Sequence, residues 1–137
     1  MTVVDTYPLF TVSHLQDSRE FFTRHFGMQV VFEASWVAML SHTNAGSISV
    51  GLMSSDHPSS PPGPEVFDGR GMILTLQVDD ARALHASLRG AGVPIAHSLA
   101  DAPWGQRRFV VTDPSGIFVD VVQQIEPAPG FWDPYVG

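Results

Sequence analysis

The chain has 137 residues, 44% of them hydrophobic and 15% charged, which at roughly 100 to 200 residues per domain describes one globular domain able to bury its own core. Cysteine is absent, so disulfides, thiolate metal sites and cysteine nucleophiles are excluded. Acidic residues outnumber basic ones 14 to 7, every basic residue is arginine, and the formal charge is −7. That field repels phosphate backbones and anionic lipid, so neither nucleic acid nor a membrane surface is an expected partner. No apolar run approaches the roughly 18 residues of a membrane span, and the first ten residues lack the basic-then-apolar order of a signal peptide. A cytoplasmic location is the expectation.

In chain order, Tyr7 to Val12 reads as a strand. Asp17 followed by Glu20 is a capping-box pattern, and it predicts a helix carrying Phe21, Phe22 and Phe26, stopped by Gly27. Short β-rich stretches follow at Gln29 to Ala34, Trp36 to Ser41 and Ser47 to Met53, the last two separated by the turn residues Thr43 to Gly46. Ser54 to Arg70 is dense in Ser, Pro and Gly.

The same order then begins again, with a strand Met72 to Val78, a cap at Asp79 and a helix from Asp80 to about Gly90 with Leu84 and Leu88 on one face. His14 and Asp80 hold equivalent positions at the two helix starts. Strands at Ile95 to Ser98, Gln106 to Thr112 and Ile117 to Ile125 complete the second set, the last two joined by Asp113-Pro114-Ser115-Gly116. Val12 aligns with Val78, and Gly46 with Gly116, so the sequence predicts an internal βαβββ repeat. The expected fold class is α+β, two tandem βαβββ modules forming curved mixed sheets around a cavity with helices outside. Module one covers about residues 4–53, the connector 54–70, module two about 71–125, and an aromatic tail 126–137.

Side-chain alternation sends Phe118, Asp120 and Val122 to one face of the last strand and Val119 and Val121 to the other. An acid among such neighbours is costly unless paired or neutralised. Either Arg107 or Arg108 on the adjacent strand pairs with Asp120, or Asp120 meets a ligand. Phe10, Val12, Phe21, Phe22, Leu84, Leu88, Val119 and Val121 already supply the helix-facing sides. Trp36, Trp104, Phe109 and Phe118, with Phe32 and Phe67, therefore include aromatics available to line a cavity, and Trp104 in its Pro-Trp-Gly loop is placed to stack on a planar ligand. The six histidines form no His-x-His or His-x-x-x-His pair. His25 and His85 lie on the outer helices, and His57 lies in the connector. No phosphate-binding glycine loop and no Gly-x-Ser-x-Gly elbow occurs.

The paired modules, the opening Val12-Ser13-His14-Leu15-Gln16-Asp17-Ser18 with Phe21-Phe22 and Phe26-Gly27, and Pro103-Trp104-Gly105-Gln106-Arg107-Arg108-Phe109 leading to Asp113-Pro114-Ser115-Gly116 resemble the glyoxalase/bleomycin-resistance/dioxygenase superfamily, the vicinal oxygen chelate proteins. The resemblance runs from about Val4 to Ile125. It implies that enzymes of this kind hold a divalent metal on the first and last strands of each module, positions that fall here on Tyr7, Ile73, Val50 and Asp120. Only Asp120 is a plausible ligand, and one carboxylate with a Tyr cannot satisfy Zn, Ni, Mn or Fe. No metal, cofactor or catalytic residue is therefore expected. The expected ligand-binding set is Tyr7, Trp36, Val50, Ile73, Trp104, Phe109, Phe118 and Asp120. The resemblance implies a metal-free protein sequestering an aromatic or peptide-like antibiotic, with a lyase, isomerase or dioxygenase as the alternative. It also implies a homodimer whose modules complete one another's cavities.

Overall fold

A computed structural model of the chain describes residues 2–43, 46–56 and 65–137. The predicted turn at Asn44-Ala45 and the connector from His57 to Pro64 lie outside the described residues. The chain divides into two compact units, residues 1–70 with 114–116, and residues 71–113 with 117–137. Each carries one helix and one four-stranded mixed sheet, the α+β βαβββ arrangement expected from the repeat. No helix among the described residues is long and apolar enough to cross a membrane.

In the first unit, β1 (Leu9–Val12), α1 (Leu15–Phe26), β2 (Gln29–Ala34), β3 (Val37–Ser41) and β4 (Val50–Ser54) follow in order. The strands are arranged β1-β4-β3-β2, with β1 parallel to β4 and the other pairs antiparallel. Helix α1 begins earlier than the capping-box pattern predicts. His14 is its N-cap without a side-chain cap bond, and Asp17 sits in the first turn, where a carboxylate favours the positive end of the helix dipole. Gly27 ends it in the left-handed conformation and donates its N–H to Phe22 O.

One face of this sheet meets α1 through Phe10, Val12, Ala38, Leu40, Val50 and Leu52, all nearly or fully buried with Phe21 and Phe22. A bulge between Val30 and Phe32 sets which residues of β2 face the helix. It places Phe32 opposite Met39 and Glu33 opposite Ala38. Glu33 thus stands on the helix side, where Arg19 Nε donates to it at 2.7 Å, while Phe32 is left 60% exposed on the other.

The turn residue Ser115 belongs to this unit as well. His14 N–H donates to its Oγ at 3.1 Å, and the Oγ atoms of Ser115 and Ser18 lie 2.6 Å apart. Ser115 therefore anchors the start of a helix whose own N-cap side chain does not.

In the second unit, β5 (Leu74–Gln77), α2 (Ala81–Gly90), β6 (Ile95–Ala102), β7 (Gln106–Thr112) and β8 (Phe118–Gln124) repeat the pattern as β5-β8-β7-β6. The N-cap of α2 is Asp80 rather than Asp79, and its carboxylate accepts from Ala83 N–H at 3.0 Å. Gln123 Oε1 accepts from Ala81 N–H at 3.0 Å, which ties the helix start to β8. Phe109, Val111, Val119 and Val121 are fully buried, and the ring of His85 on α2 meets that of Phe109 edge-on at 5.1 Å. Beyond β8 the tail returns to the β6–β7 turn. Ile125 N–H donates to Gly105 O and Ala128 N–H to Pro103 O, each at 2.9 Å.

Candidate functional site

Each sheet has a second face, away from its helix. In the first unit that face carries Leu9, Thr11, Met39, Gly51, Met53 and Phe32, as the strand pairings require. A Cβ built on Gly51 would lie 2.8 Å from Leu9 Cδ1, 3.0 Å from Met39 Sδ and 3.6 Å from the ring of Tyr7. These three side chains close over a position that has none of its own, and the face is apolar. Val50 does not contribute to it. Val50 is fully buried on the α1 side, paired with Leu40. The reason is register. Leu9 pairs with Gly51 as Thr75 pairs with Asp120, so Gly51 and not Val50 is the counterpart of Asp120, and a slip of one residue exchanges the two faces. Trp36 lies in the tight turn joining β2 to β3, half-buried, rather than on a strand.

The corresponding face of the second unit is polar. It carries Thr75 and Gln77 from β5, Gln106, Arg108 and Val110 from β7, and Phe118, Asp120, Val122 and Gln124 from β8. Asp120 is 6% exposed. Thr75 Oγ1 donates to its Oδ2 at 3.1 Å, Arg108 Nε donates to its Oδ1 at 3.0 Å, and Arg108 Nη2 lies 2.8 Å from that same Oδ1. Thr75 is the direct cross-strand partner of Asp120, and Arg108 reaches it diagonally, because Val110 stands opposite Asp120 and Val122 opposite Arg108. A buried carboxylate among valines is tolerable on these terms.

Of the two arginines that could pair with Asp120, Arg107 points to the helix side, where it bridges Asp101 at 2.7 Å. That bond holds Asp101 below the usual carboxylate range and Arg107 above the usual guanidinium value.

Around the ion pair, Gln124 Nε2 donates to Gln77 Oε1 at 3.2 Å, and Trp104 Nε1 donates to Gln106 Oε1 at 2.8 Å. Trp104 is 38% exposed, and its carbonyl accepts from Trp132 Nε1 at 2.9 Å. Phe131 packs between Trp104, Trp132 and Tyr135. The tail thus backs the tryptophan loop within its own unit.

Phe118 shares the face of Asp120 and is half-buried, and Ile73, just before β5, is half-exposed. Phe109 does not line this face. It sits opposite Val121, under α2 and against His85, because its position in β7 has the parity of Val111. Thr75, Gln77, Gln106, Gln124, Gly51, Leu9 and Met39 share these faces and lie outside the set expected from the sequence. The parity of Thr75 and Gln77 with Asp120, which a parallel pairing of β5 and β8 imposes, is the signal that points to the first two.

A divalent metal does not fit these residues. Among the described residues, no three His, Asp or Glu side chains converge as a cation site requires. The carboxylate at the carried-over position already has a guanidinium on one oxygen and a hydroxyl on the other. Its counterpart in the first unit, Gly51, and the residue paired with it, Leu9, have no side-chain donor.

A family model described as Glyoxalase/Bleomycin resistance protein/Dioxygenase superfamily matches residues 6–121. The chain belongs to that superfamily. Among solved structures, a member of the superfamily from Sphaerobacter thermophilus superposes with a TM-score of 0.73 at 20% identity, covering 90% of this chain and 99% of that one. A glyoxalase/bleomycin resistance protein/dioxygenase from Nocardioides gives 0.71 at 20% identity, covering 95% and 89%. A possible glyoxalase from Bacillus cereus gives 0.67 at 19%, covering 88% and 98%. At such identities the likeness is one of fold. No curated protein matches the sequence.

Proposed function

We propose that this chain is a metal-free small-molecule binding protein of the superfamily, one that sequesters an aromatic or peptide-like antibiotic rather than transforming it. The observation that carries this reading is the state of Asp120. The one carboxylate at a carried-over metal position is held by Arg108 and Thr75, which suits it to a fixed polar floor. Around it lie an exposed indole and carboxamides with unspent donors and acceptors, the mixture of apolar wall and few oriented polar groups typical of ligand sites. A formal charge of −7 draws in a ligand that also carries an amine.

Tryptophan emission titrated with aromatic and peptide-like antibiotics, and the survival of cells expressing the protein under those drugs, test the reading together. Saturable quenching with protection supports it. Absence of both counts against it, and one tightly held equivalent of Zn, Ni, Mn or Fe after purification without chelator would favour the lyase, isomerase or dioxygenase alternative.

We further propose that the chain works as a homodimer. Phe32, Leu9 and Tyr7 are exposed on one side of the first sheet, an apolar surface that a second copy would cover. Light scattering at micromolar concentration tests this directly.

A further inference from the structure

The Arg108 guanidinium spends only one side on the protein. Its Nε and Nη2 are both turned to a single oxygen of Asp120. Of the five N–H donors in the fork, those on Nη1 have no acceptor among the described residues. The side chain is 18% exposed, so it is largely fixed, with an edge still open to solvent on the face that carries Gln77, Gln106 and Gln124.

The surroundings hold it in that pose. Thr75 fixes the far oxygen of Asp120, Asp120 fixes the near side of Arg108, and Val110 and Val122 form the floor between them. Gln106 spends its carbonyl on Trp104 Nε1 and keeps its NH2 group, and Gln77 likewise accepts from Gln124 and keeps its own. The carboxamides that share its face, from β5 and β7, thus keep NH2 donors of their own. Donors arranged about a planar cation call for an acceptor with two oxygens.

We infer that Arg108 anchors a carboxylate, or an equivalent paired-oxygen group, of the bound molecule, with Asp120 as the positioning residue that orients it. The inference rests on the small-molecule reading above and names the chemistry of its polar end. The guanidinium is itself the cation beside Asp120, and it offers fork geometry instead of an open coordination position. An aromatic ligand would then lie with its ring toward Trp104 and its acid toward Arg108.

Two planar probes that differ only at the acid test this, 2-naphthoate and 2-naphthamide, each titrated by calorimetry at neutral pH. The wild-type protein is expected to bind the carboxylate at least about tenfold more tightly, as charge-assisted bidentate pairing predicts. Arg108→Leu alone strands a buried Asp120, so the decisive variant is Arg108→Leu with Asp120→Leu, which replaces the pair by apolar volume. It should bind the amide within about twofold of wild type and lose the preference for the acid. Arg108→Lys, keeping charge without the fork, should retain only part of the preference. Equal affinities for the two probes in the wild type, or a preference that survives in the double variant, would overturn the anchor while leaving small-molecule binding intact. Failure of both probes to bind would count against the small-molecule reading and remove the anchor with it.

Discussion

Gly51 and Asp120 hold the same place in the two halves of the chain, each opposite the equivalent residue of the parallel first strand, Leu9 in one and Thr75 in the other. One position has no side chain and is covered by Leu9, Met39 and Tyr7. The other has a carboxylate locked in a hydrogen-bonded ion pair. The repeat has thus diverged into an apolar face and a polar one. Gly51→Ala displaces only flexible side chains, so its effect on the unfolding free energy from urea denaturation should stay within about 1 kcal/mol. Gly51→Asp sets an unpaired acid among apolar groups and should cost at least about 2 kcal/mol.

Breaking the ion pair should cost more than removing it. Asp120→Ala leaves Arg108, four-fifths buried, without its acceptor, for a loss of roughly 2–4 kcal/mol. The double leucine variant should lose clearly less. Equal losses in chemical denaturation would show that packing, and not charge, dominates here.

Phe109 and Phe118 make a matched pair of tests for the two faces. Phe109→Ala empties the core under α2, where the ring is fully buried against His85, and should destabilise by about 3–5 kcal/mol while leaving ligand affinity unchanged in whatever fraction folds. Phe118→Ala, on the face of Asp120, should cost less stability and weaken ligand binding. Calorimetric unfolding and titration on the same samples separate the two effects.

Ser115→Ala should destabilise by about 1–2 kcal/mol. It removes the acceptor for His14 N–H and one hydroxyl contact of the buried Ser18. Because His14 caps α1 without a side-chain bond of its own, the loss should show first as faster amide exchange in the opening turn of that helix.

Stability should fall toward acid in two stages. Burial, and then the neighbouring Arg24, lower His25 below its ordinary value of 6.5. The unfolded chain therefore binds this proton more readily, and the stability present above 6.5 declines as the pH drops through the folded value. Hydrogen bonds from Arg19 and Arg107 hold Glu33 and Asp101 below the usual carboxylate range. Their contribution is present above that range and is lost at lower pH, when these carboxylates protonate. His25→Gln should flatten the first stage of a denaturation midpoint measured against pH and leave the second.

What was legible in the sequence was whatever local pattern determines. Gln106–Thr112 has the bounds its sequence predicts, and the division of Val119 and Val121 from Phe118 and Asp120 follows from strand alternation. Register across strands was less legible. The resemblance matches Val50 with Asp120, but the first module holds one residue more between its turn glycine, Gly46, and the matching strand position than the second does after Gly116, which moves Val50 beneath α1. Residue type alone puts Phe109 among the aromatics available to line a cavity, whereas the turn at 113–116 sets Thr112 against Phe118 and hence Phe109 against Val121. The choice of Arg108 over Arg107 required the same pairing, and the start of α1 depends on a serine about a hundred residues away.

The fastening of the tail also bears on how the protein can be handled. Gly105 adopts a φ of 110°, and a Cβ there would come within 3.0 Å of Ile125 O and 3.3 Å of Pro127 N. The last stretch of chain is thus a clasp closed over a hairpin turn, and a few residues later it carries Phe131 and Trp132 against Trp104. A side chain at position 105, or a cut within residues 126–137, would open this clasp and strip the backing from the Trp104 loop.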